Sequence, residues 1–258
     1  MSSEAALAAL LSPETVLDPL NASTEPWVRS VVWTDFRLAV SLFVAVPLAL
    51  LGWSIYACRP PALGGGERPD QTADVSLRYM TSYWQASSLL LITVAFNIQQ
   101  SPLGVPAELI AQAMIVVSLW WWSDLNDELR TAAPSAQRSA FLTWRVLASL
   151  AAGGGVLVQA PFQPCVAVPA LAADANCAAW LEPPQFAAAL VGLSPSPTLG
   201  LLANGACALY FGVLAYYLGV LLPDVGRRGR APRPRVMNAA SPIGAWRMLG
   251  FIGEQDAG

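Results

Sequence analysis

The stretch "LAVSLFVAVPLALLGWSIYA", residues 38–57, contains no charged side chain. A membrane hydrocarbon core about 30 Å thick requires about 20 mainly apolar residues per helix, so this stretch predicts a membrane span. Pro47 lies inside it and cannot donate a backbone hydrogen bond. A bundle tolerates such a proline where neighbouring helices satisfy the freed backbone group, and we therefore expect a kinked helix packed against others.

Four further stretches have comparable length and apolar character, and residues 141–159, the fourth span along the chain, are the weakest because three consecutive glycines lower their helix propensity. The sequence thus predicts an all-α polytopic membrane protein, a bundle of about five transmembrane helices forming one membrane domain over residues 37–223. Residues 1–36 are predicted to be an N-terminal non-cytoplasmic tail, residues 224–258 a basic cytoplasmic tail, and the Pro-rich segment 161–197 a loop. The four additional spans are residues 79–98, 105–122, 141–159 and 199–222.

Composition supports this class of protein. The 258 residues are 55% hydrophobic and 12% charged, about half the charged fraction of soluble domains. The sequence contains no histidine, which excludes His-ligated haem, His-ligated zinc and a Ser-His-Asp triad.

The arginines predict the orientation. All fourteen basic residues are arginines, and five spans would place twelve of them on one side of the membrane. Only Arg29 and Arg37 would lie on the other side, together with the arginine-free loop 160–198. Because cytoplasmic loops carry the basic excess, we expect the N-terminus outside and the C-terminus inside.

A second notable stretch, "SLWWWSDLNDEL" (residues 118–129), follows the third span. We interpret its acids as a cytoplasmic ion-pair network with nearby arginines such as Arg78, Arg130, Arg138 or Arg145, and its tryptophans as anchors in the headgroup layer. Acids at the C-terminal end of a helix oppose the macrodipole and need such compensation. A partner-docking surface and a hard-cation site are the alternatives. The candidate interaction cluster is Trp120, Trp121, Trp122, Asp124, Asp127 and Glu128.

Two cysteines, Cys165 and Cys177, lie in the predicted outer loop. Thiols on the far side of the membrane can oxidise, which favours a structural disulfide over two free thiols or a redox role. A Cys-x-x-Cys motif is absent from the sequence.

The fifth span carries a stripe of small residues that recur at alternating intervals of three and four. Such a stripe predicts close helix packing in lipid. We favour a partner helix within this chain, with another subunit as the alternative. The stripe consists of Gly205, Ala208, Gly212, Ala215 and Gly219.

Polar residues Thr81, Gln85 and Ser88 follow one face of the second span and could serve a solute pathway. However, Glu108 and Arg145 are each only about one turn inside a predicted span, and Arg145 could extend to the membrane surface. Without a deeply placed ionisable residue, a proton-coupled transporter loses its main support.

The Arg-rich tail after residue 226 predicts binding to anionic lipid headgroups. Nucleic-acid binding is not expected, because the net charge is −3 and no recognisable binding fold accompanies the arginines.

Three segments carry a resemblance to a known family: "VVWTDFRLAV" (31–40), "YWQASSLLLITVAF" (83–96) and "VVSLWWWSDLNDEL" (116–129). They resemble an uncharacterised integral-membrane family of cyanobacteria, over about residues 27–223. This resemblance implies a plasma or thylakoid membrane in a photosynthetic bacterium, and it implies no activity, cofactor or site residue.

The sequence predicts a non-enzymatic accessory, assembly or scaffold component of a membrane complex, because it contains no complete catalytic constellation. A small-solute transporter or channel is the alternative function. A membrane enzyme with an acidic cytoplasmic site comes third.

Overall fold

The computed structural model describes residues 26–58, 71–168, 171, 174–216 and 218–219. The expectations for the far N-terminal residues and for the Arg-rich tail lie outside this part of the chain. The regular elements described are α-helices joined by a π-helical turn and a 3-10 helix, with no strand among them. They are α1 (Pro26–Val40), the π-helical turn Ser41–Ala45, α2 (Val46–Ala57), α3 (Gln71–Ile98), α4 (Gly104–Trp120), α5 (Ser123–Thr131), α6 (Ala136–Gln159), the 3-10 helix Ala160–Ala167, α7 (Ala175–Leu190) and α8 (Pro197–Tyr216).

Three stretches are long and apolar enough to cross a membrane: Trp27–Ala57, Ala136–Ala167 and Pro197–Tyr216. A fourth crossing is present if α4 and α5, which meet at a bend of 53°, count as one span. The predicted second span, residues 79–98, lies in α3, which is not among these helices. The structure therefore supports a helical protein with three to four candidate spans, fewer than the five expected from the sequence.

Helix α3 occupies the centre of the bundle and contacts α2, α4, α5, α6, α7 and α8. Its largest buried side chains, including Tyr79, Tyr83 and Phe96, are almost fully enclosed. A helix surrounded by other helices can carry polar groups that pair inside the protein. This position accounts for the lower apolar content of α3.

The first long helix starts earlier than predicted and contains the expected irregularity at Pro47. It begins at Pro26, so the N-terminal tail predicted over residues 1–36 overlaps eleven helical residues. Pro47 cannot donate to the carbonyl of Phe43, four residues earlier, and the Tyr83 hydroxyl donates to that carbonyl at 2.6 Å instead. The neighbouring helix thus satisfies the backbone group that the proline leaves free.

Segment 161–197, expected to be a loop, contains helix α7. The Asp174 side chain caps the start of this helix by accepting hydrogen bonds from the backbone N–H groups of Asn176 and Cys177, both at 3.0 Å. Pro183 and Pro184 lie inside α7 and are buried. Tertiary packing therefore overrides the helix-breaking tendency of these two prolines.

The weak fourth span is a continuous helix, α6, in spite of its three glycines. Gly155 packs closely against α4: a Cβ there would lie 2.6 Å from Nε2 of the buried Gln112, so the end of that side chain would have to move. Glycine lowers the helix propensity of α6 at this position, but its lack of a side chain allows α4 and α6 to approach closely.

Candidate functional site

The acidic stretch after the three tryptophans lies at a corner of the chain. Helix α4 ends at Trp120, and α5 begins at Ser123 after the 53° bend. Asp124 therefore lies in the first turn of a new helix, where the macrodipole stabilises an acid. The expectation that these acids oppose the dipole at the end of a continuing helix is wrong for Asp124, because the bend starts a second helix.

Glu128 joins α5 to the central helix by an ion pair with Arg78. The Arg78 side chain is 5% exposed, and its Nε also lies 3.2 Å from Asp74. Asp127 instead faces outward and lies 3.9 Å from Arg130, with both side chains largely exposed. The acids thus differ in their surroundings: Glu128 fastens two helices together, and Asp127 makes a surface pair.

Arg145 is buried at the same corner, with 3% of its surface exposed. Its guanidinium lies 3.8 Å from the centre of the Trp120 ring and 5.0 Å from the centre of the Tyr79 ring. Its Nη2 donates to Oδ1 of Asn126. The expectation that Arg145 extends to the membrane surface is therefore wrong, because aromatic rings and an amide enclose the cation within the protein.

Asn126 was not recognised from the sequence. Its Oδ1 accepts from the Tyr79 hydroxyl at 2.8 Å as well as from Arg145, and its Nδ2 donates to the backbone carbonyl of Trp120 at 3.2 Å. One amide thus connects α3, α4 and α6 through α5. Its position among acids in a polar segment gave no signal that distinguishes it from an exposed asparagine.

The three tryptophans have different roles. Trp120 and Trp121 are exposed, whereas Trp122 is 8% exposed and donates from Nε1 to the Ser82 hydroxyl at 3.0 Å. Trp122 is therefore a core residue, and only Trp120 and Trp121 have the exposure that interfacial anchors need.

The hard-cation alternative finds no support in this geometry. In the part of the chain that the structure describes, no three Asp, Glu or Cys side chains are arranged to hold a metal ion.

Arg138 completes the corner by donating from Nε to the carbonyl of Leu129 at 2.8 Å, near the end of α5. The arrangement is suited to holding helices together at this end of the bundle, which we call the α5 end.

The opposite end, which we call the α7 end, contains the two predicted cysteines. Cys165 and Cys177 form a disulfide with their Cα atoms 5.8 Å apart, joining the 3-10 helix to the first turn of α7. Glu182 of α7 accepts from Arg29 Nε at 2.7 Å and from Trp33 Nε1 at 3.3 Å. These links fasten α7 to α1.

The small-residue stripe is exposed along its whole length. The other face of α8 packs against α3, where the Tyr210 hydroxyl lies 3.5 Å from the Ala86 carbonyl. With 3.6 residues per turn, the stripe lies roughly 150° around the helix from that contact. A Cβ built at Gly205, Gly212 or Gly219 meets no atom within 4 Å. The expectation that the stripe packs against another helix of this chain is therefore wrong within the described residues, because α8 packs through a different face.

The polar face predicted on the second span is also on the surface. Gln85 and Ser88 are exposed, and the Ser88 hydroxyl donates to the carbonyl of Gln85 at 2.8 Å. Thr81 likewise donates to the carbonyl of Leu77, at 3.1 Å. These hydroxyls are satisfied by their own helix and do not line a passage through the described bundle.

A groove between α1 and α6 was not predicted. It encloses about 310 Å³ and is lined by hydroxyl, carboxyl, glycine and aliphatic groups. The residues that line it were interpreted separately in the sequence. Ser30, Thr34 and Asp35 were placed in a tail, and the glycines of α6 were interpreted only as weak helix formers. Recognising that the helix starts at Pro26 would have placed the three polar residues on one helical face.

Comparison with known proteins gives a family and no activity. No curated protein and no solved structure matches this chain. The expectation of an uncharacterised family is confirmed by a match over residues 29–230, which begins two residues later and ends seven residues later than the range of about 27–223 expected from the resemblance. Since this match covers most of the sequence, the chain belongs to the family described as protein of unknown function (DUF3177).

Proposed function

We propose that this protein is a non-enzymatic accessory, assembly or scaffold component of a larger membrane complex, and that it binds a membrane helix of a partner protein through α8. The observation that carries the proposal is the exposure of all five small residues of the stripe, four of them on the face of α8 opposite its contact with α3 and Gly219 beyond the end of that helix. In lipid, helices associate where small residues allow backbones to approach closely.

The attachment of α8 to the rest of the chain leaves room for such a partner. Of the 18 residues that form the most apolar part of this helix, only 6% are buried within the protein. The buried contact with α3 is made by Ala203, with Cys207 and Tyr210 beside it. A second helix could therefore pack on the stripe without displacing α3.

In the proposed setting the chain crosses the membrane five times, because α3 is added to the four candidate spans. The N-terminus lies outside and the C-terminus inside. The length of α3 supports this, since 28 residues extend about 42 Å and exceed the thickness of a hydrocarbon core. The arginine distribution supports the orientation, and the Arg-rich tail would bind anionic headgroups on the inner surface. The resemblance to cyanobacterial proteins supports a plasma or thylakoid membrane of a photosynthetic bacterium.

The test compares the same substitution on two faces of α8. Ala208 belongs to the stripe, whereas Ala206 is also exposed but lies on a different face. We expect Ala208→Leu to block the approach of a partner backbone and Ala206→Leu to leave it unchanged. The measurement is the amount of each stoichiometric subunit that co-purifies from its native membrane in mild detergent, identified by mass spectrometry.

Equal recovery of partners with both variants would contradict binding through the stripe. Gly212→Leu and Val213→Leu provide a second pair on the same helix, with the stripe position again expected to be the sensitive one. Solute flux through vesicles that contain only this purified protein would contradict the accessory function itself and support the transporter alternative.

A further inference from the structure

The groove between α1 and α6 has a polar part and an apolar part. Ser30, Thr34 and Asp35 line it towards the start of α1, and Leu38 and Leu150 line it further along. The two helices run antiparallel. The carbonyl of Leu42, which follows the groove residues of α1, accepts a hydrogen bond from Trp144, which precedes the groove residues of α6. The polar part therefore lies nearer the α7 end, and the apolar part lies further from that end.

The glycines of α6 create the space. Gly154 lines the groove, and a Cβ built on it meets no atom within 4 Å. Gly155 also lines the groove, and behind it lies Gln112, which is 3% exposed. The side chain of Gln112 thus fills the space behind Gly155, and the open space lies on the side of Gly154.

The charges near the groove favour a cation. Asp35 is the one charged side chain among the residues that line the groove. Neither arginine of α1 lines the groove: Arg29 pairs with Glu182, and the Arg37 guanidinium lies 6.0 Å from the centre of the Trp33 ring. A carboxylate in apolar surroundings is stabilised by a bound positive charge.

We propose that this groove binds an amphipathic amine, with the protonated amine beside Asp35 and the hydroxyls of Ser30 and Thr34, and the hydrocarbon chain against Leu38 and Leu150. The volume of about 310 Å³ suits a headgroup and the first part of a chain. The binding site is on α1 and α6, so it is independent of the proposed partner contact on α8.

The test uses a photoreactive long-chain primary alkylamine, added to the full-length protein in phosphatidylcholine nanodiscs. We expect cross-links on peptides from α1 and α6, and competition by an unlabelled long-chain alkylamine. The matching long-chain alcohol and a short, water-soluble alkylamine should compete at least about tenfold more weakly, because each retains only half of the recognition.

Variants locate the site. Asp35→Asn preserves shape and removes the charge, and we expect it to lower cross-linking at least about tenfold. Gly154→Leu should abolish cross-linking by filling the groove. Gly153→Leu is the matched control, because Gly153 is adjacent, does not line the groove and also has open space around it. Thermal unfolding of each variant establishes that it is folded.

Three results would overturn the proposal. Equal cross-linking of Gly153→Leu and Gly154→Leu would show that the amine binds outside the groove. Equal competition by the alcohol, together with unchanged cross-linking of Asp35→Asn, would show an apolar groove that does not recognise the amine. Equal competition by the short amine would show a site for soluble cations. If Gly154→Leu does not fold, the result for Asp35→Asn decides.

Discussion

Asn126 shows how one residue determines the structure of the α5 end. It accepts from a buried arginine and a tyrosine and donates to a backbone carbonyl. Removing it would leave the Arg145 guanidinium and the Tyr79 hydroxyl without this partner in a largely water-free place. Unsatisfied buried groups are costly, and charged ones cost more than neutral ones.

We therefore expect Asn126→Ala to reduce the free energy of unfolding by about 2 kcal/mol. The nearby control Asp127→Ala removes only an exposed pair with Arg130 and should change it by less than about 0.5 kcal/mol. Thermal unfolding of the purified protein in mild detergent measures both. Comparable destabilisation by the two variants would mean that the amide hydrogen bonds contribute little.

At the scale of helices, the sequence predicts those elements that are long and apolar enough to cross a membrane. Residues 38–57, 141–159 and 199–222 were found from apolar content, and each corresponds to a helix that is apolar enough to cross a membrane. Apolar content failed where a helix faces protein. Helix α3 is more polar because it is central, and α7 contains two buried prolines that local propensity reads as loop.

The groove illustrates the same limit for the sites. Its two walls are separated by more than a hundred residues, and sequence periodicity relates only residues within one helix. Asp35 meets α6 only in the folded chain, and Arg145 meets Asn126 because the chain turns back between α5 and α6. The residue types were visible in the sequence, but their meeting depends on how the helices pack.

Helix α7 depends on its covalent link to the 3-10 helix. The disulfide closes a loop of sequence separation 12, and constraining the unfolded chain in this way contributes about 3 kcal/mol in the chain-entropy model. We expect Cys177→Ser to lower thermal stability without preventing membrane insertion, because packing of the long helices is retained.

Thiol counting tests the disulfide directly. Maleimide labelling of the denatured, non-reduced protein should modify only Cys58 and Cys207, and reduction should expose two further thiols. Four reactive thiols before reduction would contradict the bridge. Cys207→Ser is a control for the stability measurement, since it removes a less buried thiol without affecting the link.

At the scale of the whole molecule, the two ends differ in chemistry. The α5 end carries Arg78, Arg130, Arg138 and Arg145, joined to acids, amides and carbonyls of α5. The α7 end carries the disulfide and only Arg29 and Arg37 among the described arginines. Basic residues collect on the cytoplasmic side and disulfides persist on the oxidising side, so both features favour placing the α5 end inside.

This orientation predicts the accessibility of two exposed positions on either side of α6. Ala133 lies in the α5–α6 connection, and Ser194 lies between α7 and α8. With Cys58 and Cys207 replaced by alanine, a membrane-impermeant maleimide should label Ser194→Cys on intact cells. Ala133→Cys should be labelled only after permeabilisation, because α6 crosses the membrane once between them and α7 does not cross. The same labelling of both positions, from outside or only after permeabilisation, would mean that α7 crosses as well, and the reverse pattern would mean that the basic end faces outward.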